Sequence, residues 1–156
     1  MRKEMRIIFL DVCGLMDLKT VLEEKYDTLS EYITDDSLKR LSKLYHKYED
    51  TGLVLTPLHK NDLDYTDLTN KFKEYDIDIF DVTPDLYDTR PKQIIEWMAC
   101  NGNIYVTDWV SIDHKYNEED YEAVKDGFEN HLVKPISGLT NNTYHVALEI
   151  LGGCLD

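Results

Sequence analysis

Asp11, Thr56 and Asp108 each stand at the end of a short apolar run, IIFL, LVL and IYVT respectively. Two carboxylates and a hydroxyl delivered in this way could share one crevice. An oxygen-rich site of that kind suits Mg2+, which keeps several waters and takes one or two carboxylates plus substrate phosphate. Cys13 follows Asp11 in a glycine-bearing turn, at a place where a second carboxylate would help acid-base chemistry. The histidines His46, His59, His114, His131 and His145 are scattered singly without an H-x-x-x-H pair, so the sequence carries no zinc signature.

Alternating strand and helix signals must position these residues. Arg6 to Leu10 reads as a strand buried on both faces. Thr34 caps a helix with Asp35 and Asp36 in its first turn, and Leu38, Leu41, Leu44, Tyr45 and Tyr48 carry it toward Thr51-Gly52. LVLT is a second strand, stopped by Pro57. Leu68, Phe72 and Tyr75 mark a shorter helix, and IDIFDV a further strand. Thr89-Arg90-Pro91 starts a helix with Ile94, Ile95, Trp97 and Met98 facing inward. NIYVTD is the third strand that ends in a polar residue, and HLVKP the last candidate. Thr140 caps a final helix holding Val146, Ile150 and Leu151, closed by Gly152-Gly153. Strands separated by helices predict an α/β fold, a mainly parallel sheet with helices on both faces that binds its ligand beyond the carboxyl ends of the strands. No repeat or linker interrupts the pattern, so residues 1–156 are expected to form a single domain.

Composition narrows the function classes. With 31 acidic residues against 17 Lys and Arg, the formal net charge is -14, and no basic run exceeds two residues. Direct nucleic-acid binding through surface charge is therefore not expected. The three cysteines, Cys13, Cys100 and Cys154, form no C-x-x-C pair and read as reduced thiols. The apolar run from Ile7 to Leu10 is too short for a signal peptide or a membrane span. The expectation is a soluble, cytoplasmic protein with no membrane partner.

FLDVCGLMD, LVLTP and YVTDWVSID, in that order, with Arg90-Pro91-Lys92 before the third and a GLT opening the last helix, resemble the motifs of the haloacid dehalogenase (HAD) superfamily of phosphohydrolases. The similarity runs from Ile7 to about Leu151 and is strongest to the small branch associated with RNA-repair proteins, which lacks a large cap domain. It implies a three-layer α/β/α Rossmannoid fold, a Mg2+ cofactor and a small phosphorylated substrate or phosphate as partner. By the same resemblance Asp11 matches the nucleophile, which also binds Mg2+, and Thr56 matches the hydroxyl that holds a phosphate oxygen. Asp108 matches the metal-binding acid of the fourth motif. The phosphate-binding cation of the third motif is Lys92 or Arg90 at the helix start, or Lys60.

Two departures from the family pattern carry information. The usual D-x-D places an aspartate two residues after the nucleophile, where it protonates the leaving group and later activates water, work worth roughly 10²–10⁴-fold. Cys13 stands there; its backbone carbonyl can still serve the metal, but its thiol is a poor substitute for a carboxylic acid. Close relatives pair two aspartates in the fourth motif, whereas Asp108 is followed by Trp109; Asp113, at D-x-x-x-x-D spacing, partly restores the pair as a metal ligand, with Trp109 at the crevice mouth. The bland alternatives are strand-end caps for Asp11 and Asp108, ordinary turn chemistry for Thr56 before Pro57, an inert Cys13 and a solvated Asp113. The sequence thus points to a Mg2+-dependent phosphatase with an aspartyl-phosphate intermediate, slowed by Cys13. The alternatives are a catalytically inactive binding or interaction protein on the same fold, and a polynucleotide-end phosphatase acting in RNA repair. Substrate choice would fall to the segments Asp17–Ile33 and Asn61–Tyr65.

Overall fold

A computed structural model describes residues 2–16, 33–56, 65–84 and 89–153. Pro57, His59, Lys60, Cys154 and nearly all of both expected substrate-selecting segments lie outside these residues. Five parallel strands, β1 (Lys3–Asp11), β2 (Thr51–Thr56), β3 (Ile79–Val82), β4 (Ile104–Ile112) and β5 (Leu132–Val133), form one sheet in the order β3-β2-β1-β4-β5. From β1 the chain proceeds outward to β2 and β3, then crosses to the other side for β4 and β5. The order therefore reverses between β1 and β4, where an open parallel sheet of this kind forms a crevice beyond its carboxyl ends.

Side-chain alternation along β1 builds the two faces. Ile8 and Leu10 point into a core completed by α1 (Asp35–His46), α2 (Tyr65–Lys73) and α5 (Asn141–Leu151), through Leu38, Leu41, Leu44, Leu68, Phe72, Ala147 and Ile150. Met5, Ile7 and Phe9 point to the opposite core, covered by α3 (Arg90–Cys100) and α4 (Glu118–Val124) through Ile94, Trp97 and Tyr121. The result is the three-layer α/β/α arrangement expected, without a large cap among the described residues. No helix among the described residues is long and apolar enough to cross a membrane.

Local chemistry explains the helix boundaries. Thr34 Oγ1 accepts from Ser37 N at 3.2 Å, and Thr140 Oγ1 from Thr143 N at 3.3 Å, so both expected caps are made. Asn117 and Asp120 form a capping box that opens α4. Three expectations need correction. The first helix stops at His46 instead of running to Thr51-Gly52; those two residues open β2, because Arg6 N draws the chain in at Asp50 O (2.9 Å). Trp109 is not at a crevice mouth but in the core, stacked on His131 at 4.0 Å and edge-on to Phe9 and Phe128. The third correction, the end of β4, changes the site.

Candidate functional site

NIYVTD does not end a strand. β4 continues through Trp109-Val110-Ser111 to Ile112, so Asp108 pairs in register with Arg6 while Ile112 pairs with Leu10. Asp11 lies five residues beyond Arg6 on β1, which at ~3.3 Å per residue puts roughly 16 Å of strand between the two carboxylates. Asp108 therefore belongs to the amino edge of the sheet. There it faces Arg6 Nε at 3.7 Å, and Asp50 takes Arg6 Nη1 at 3.2 Å. The acid that follows β4 is Asp113, and the expectation of Asp108 as a partner of Asp11 is overturned by this register.

At the carboxyl edge, the residues that end β1, β2 and β4 come together. Asp11 pairs in register with Thr56, the last residue of β2. Past Asp11 the chain enters a 3-10 turn, Val12–Leu15, in which Asp11 Oδ1 accepts from Cys13 N at 3.2 Å and Cys13 O accepts from Met16 N at 3.2 Å. Gly14 lets this turn lie against β4 and the segment after β5, since a Cβ there would stand 3.1 Å from Pro135 Cγ and 3.3 Å from Ile112 Cγ2. Asp11 and Asp113 are both 0% exposed and Arg90, the first residue of α3, is 2% exposed. Arg90 Nη1 stands 3.1 Å from Asp11 Oδ2 and 3.2 Å from Asp113 Oδ1. Tyr116 presents its ring to the same guanidinium at 5.3 Å.

Among the three cations considered from sequence, the structure brings Arg90 to the carboxylates and leaves Lys92 exposed. Helical geometry requires such a split, because residues two apart point about 200° apart around the axis. Thr56 is buried, and its hydroxyl donates to Leu10 O at 3.2 Å. Asp113 is heavily bonded: Oδ1 accepts from Arg90, from Lys115 N at 2.9 Å and from Tyr116 N at 3.2 Å, and Oδ2 accepts from the Tyr121 hydroxyl at 3.0 Å. Since the Tyr121 proton goes to Asp113, the Ser111 hydroxyl, 2.6 Å away, donates to the tyrosine oxygen.

His114 was not singled out from sequence, yet it is central here. Its backbone N donates to Asp11 Oδ2 at 3.3 Å, and its Nδ1 meets the same oxygen directly. Burial pushes the Asp11 carboxyl upward, but the His114 hydrogen bond and the Arg90 charge outweigh it and hold the group below its ordinary value. At the Cys13 thiol the Arg90 charge offsets too little. Burial, and then the charge of Asp11, push it up to about 12.

Asp11, Cys13 and His114 form a group that could hold a metal ion, with ligand atoms all within 4.8 Å of one another. A Mg2+ site built from Asp11, the Cys13 carbonyl and Asp113 fits less well. Asp113 Oδ1 is saturated with donors and Arg90 already bridges the two acids, while the Cys13 carbonyl, with one bond from Met16 N, keeps a lone pair. The side chains open to an ion thus include a sulfur and an imidazole, not oxygens alone. A family model described as the HAD domain in Swiss Army Knife RNA repair proteins matches residues 7–144. No curated protein and no solved structure gives a significant match.

Proposed function

The chain belongs to the HAD domain family of Swiss Army Knife RNA repair proteins, and from that membership we propose that it is a phosphohydrolase-type protein in which Asp11 attacks a phosphate monoester and turnover is slow. The observation that carries this reading is the convergence of Asp11, Thr56, Arg90 and Asp113 at the switch point of the sheet.

The geometry supports a role for each group. Among the described residues Asp11 Oδ1 accepts one hydrogen bond, from Cys13 N, whereas Oδ2 is held by His114 and Arg90. Oδ1 is thus the oxygen with a lone pair to offer phosphorus, and Oδ2 the one that keeps the carboxylate oriented. Attack forms the Asp11–phosphorus bond and breaks the ester bond, and the departing alkoxide needs a proton. A Cys13 thiol held at about 12 yields that proton reluctantly and, because it stays protonated near neutral pH, offers no base to the water that must then release the phosphoryl group. Arg90 balances negative charge that gathers on the phosphoryl oxygens, and the Thr56 hydroxyl would turn from Leu10 O to a phosphate oxygen. The family ordinarily supplies Mg2+ for charge neutralisation at this point. We place the protein in the cytoplasm, a reading supported by the free thiols Cys13 and Cys100.

The test is a panel of phosphate esters with Mg2+ and, separately, with other divalent ions, comparing the protein with Asp11→Asn. Release that disappears in the variant is expected; release that persists, or none in either, counts against Asp11 as nucleophile. Cys13→Asp should raise the rate, and no gain would overturn the account of slow turnover. The family description favours a second reading, a phosphatase acting on polynucleotide ends. It predicts preference for a 3′- or 5′-phosphorylated oligonucleotide over small esters, and the net charge of -14 requires the nucleic-acid grip to come from a partner.

A further inference from the structure

Asp11 and Asp113 are fully buried beside one buried guanidinium, so among the described residues, and with His114 neutral, the pocket carries one more negative charge than its arginine balances. Asp113 spends its lone pairs on Arg90, two backbone amides and Tyr121. Asp11 directs its bonds from Arg90 and His114 to Oδ2 and takes only the Cys13 amide on Oδ1, and beside it stand a thiol and an imidazole, with the three ligand atoms within 4.8 Å of one another.

We propose that Asp11, Cys13 and His114 form a site for a thiophilic divalent metal of the zinc class, in place of the all-oxygen Mg2+ site of an ordinary member of the family. This deepens the phosphoryl-transfer reading and rests on it for Asp11 as the centre of the site. Ligand atoms of a tetrahedral ion with Zn–N or Zn–O bonds of about 2.0 Å and Zn–S of about 2.3 Å stand roughly 3.3–3.8 Å apart. A spacing of up to 4.8 Å therefore needs at most about 1.5 Å of closure, which side-chain rotation of Cys13 and His114, both only half-buried, would supply. The charges also close. Binding a divalent ion expels the Cys13 proton to solvent, so the two carboxylates and the thiolate are matched by Arg90 and the ion. Three protein ligands leave a fourth position for water or a substrate oxygen, the pattern of a working zinc centre and not of a closed structural one. Arg90 favours this choice, because its guanidinium already lies between the two acids that a Mg2+ ion would bridge.

Cobalt titration of the metal-free protein tests the assignment without turnover. Co2+ should give tetrahedral visible bands together with a thiolate charge-transfer band in the near ultraviolet, Zn2+ should abolish both, and millimolar Mg2+ should abolish neither. Cys13→Ser should remove the charge-transfer band, and His114→Gln should weaken binding at least about 10–100-fold, the loss typical of even an outer partner of a metal ligand. Cys100→Ser should change nothing, Cys100 being exposed on another element. Circular dichroism checks that the variants fold, and zinc-edge X-ray absorption on the unaltered protein should independently show one sulfur among nitrogen and oxygen ligands. An unchanged band in Cys13→Ser, displacement of Co2+ by Mg2+, an edge spectrum without sulfur, or no binding overturns the proposal. Mg2+-supported, Asp11-dependent ester hydrolysis without any thiolate band would sink this assignment alone; thiolate-bound Co2+ without hydrolysis in any metal would sink the phosphoryl-transfer reading alone.

Discussion

Replacing Arg90 with methionine removes the positive charge that, among the described residues, stands between two carboxylates to which the solvent has no access. Methionine fills much of the same volume, so the loss isolates electrostatics from packing. Breaking a buried pair by deleting one partner costs about 3–5 kcal/mol, because the remaining charge stays buried and uncompensated. At ~2–4 °C per kcal/mol for a domain of this size, the melting temperature should fall by roughly 6–20 °C at neutral pH. The pH dependence has a definite sign. Asp11 is held below its ordinary value in the folded protein, so its contribution to stability is fully present above the unfolded carboxyl range and is lost as pH falls through the folded value. Arg90→Met deletes one of the causes that hold it down. The two proteins should therefore differ most near pH 7 and converge as pH drops below about 4, where the variant's carboxyls take up protons. Urea denaturation at a series of pH values measures this. A difference that is below ~1 kcal/mol at pH 7, or that stays constant down to pH 4, would show that Arg90 does not balance the buried acids.

Asp108→Asn should leave Asp11-dependent ester release within about twofold of the parent, while Asp113→Asn should reduce it by about 100-fold or more, the loss typical of one preorganised electrostatic contact. Equal losses in the two would contradict the strand register that separates Asp108 from the site. The metal-free protein should react with iodoacetamide at Cys100 far faster than at Cys13 near pH 8, since the buried thiol is pushed up to about 12, and peptide mapping reads both at once. Comparable labelling would place Cys13 in a different environment. Gly52→Ala should cost no more than about 1 kcal/mol in chemical denaturation, as its Cβ would meet Met5 Cε at 2.9 Å, the movable end of a flexible side chain, and Ile7 Cδ1 at 3.2 Å; a loss of about 3 kcal/mol would mean that this layer cannot adjust.

Much of the architecture is legible in the sequence because it depends on local patterns. The apolar runs, the caps at Thr34 and Thr140 and the early proline of α3 act over a few residues, and a parallel α/β sheet follows from their alternation. The site was harder, since it depends on where a strand stops. YVTDWVSID reads equally well as a strand ending at Asp108 or at Ile112, and only pairing with β1 decides. An aspartate inside a strand is acceptable because Arg6 from the neighbouring strand meets it. His114 is silent in the sequence for the same reason: as a lone histidine it carries no spacing signal, and its meaning comes from following Asp113, just past a strand that ends four residues beyond Asp108. Arg90 and Lys92 were inseparable in a linear reading, since sequence distance does not say which side of a helix start faces the sheet.

Arg6 joins parts of the chain made at very different times. Its Nε donates to Leu151 O at 3.1 Å, its Nη1 pairs with Asp50, and its guanidinium lies 4.0 Å over the Tyr48 ring. In a chain emerging from a ribosome, this latch waits for Leu151, whereas Asp11, Thr56, Arg90 and His114 have all appeared before it. The nascent protein could thus gather its chemical groups while the opposite end of its central strand is still open. Weakening the latch should then slow the last step of folding and leave the assembly of the site untouched.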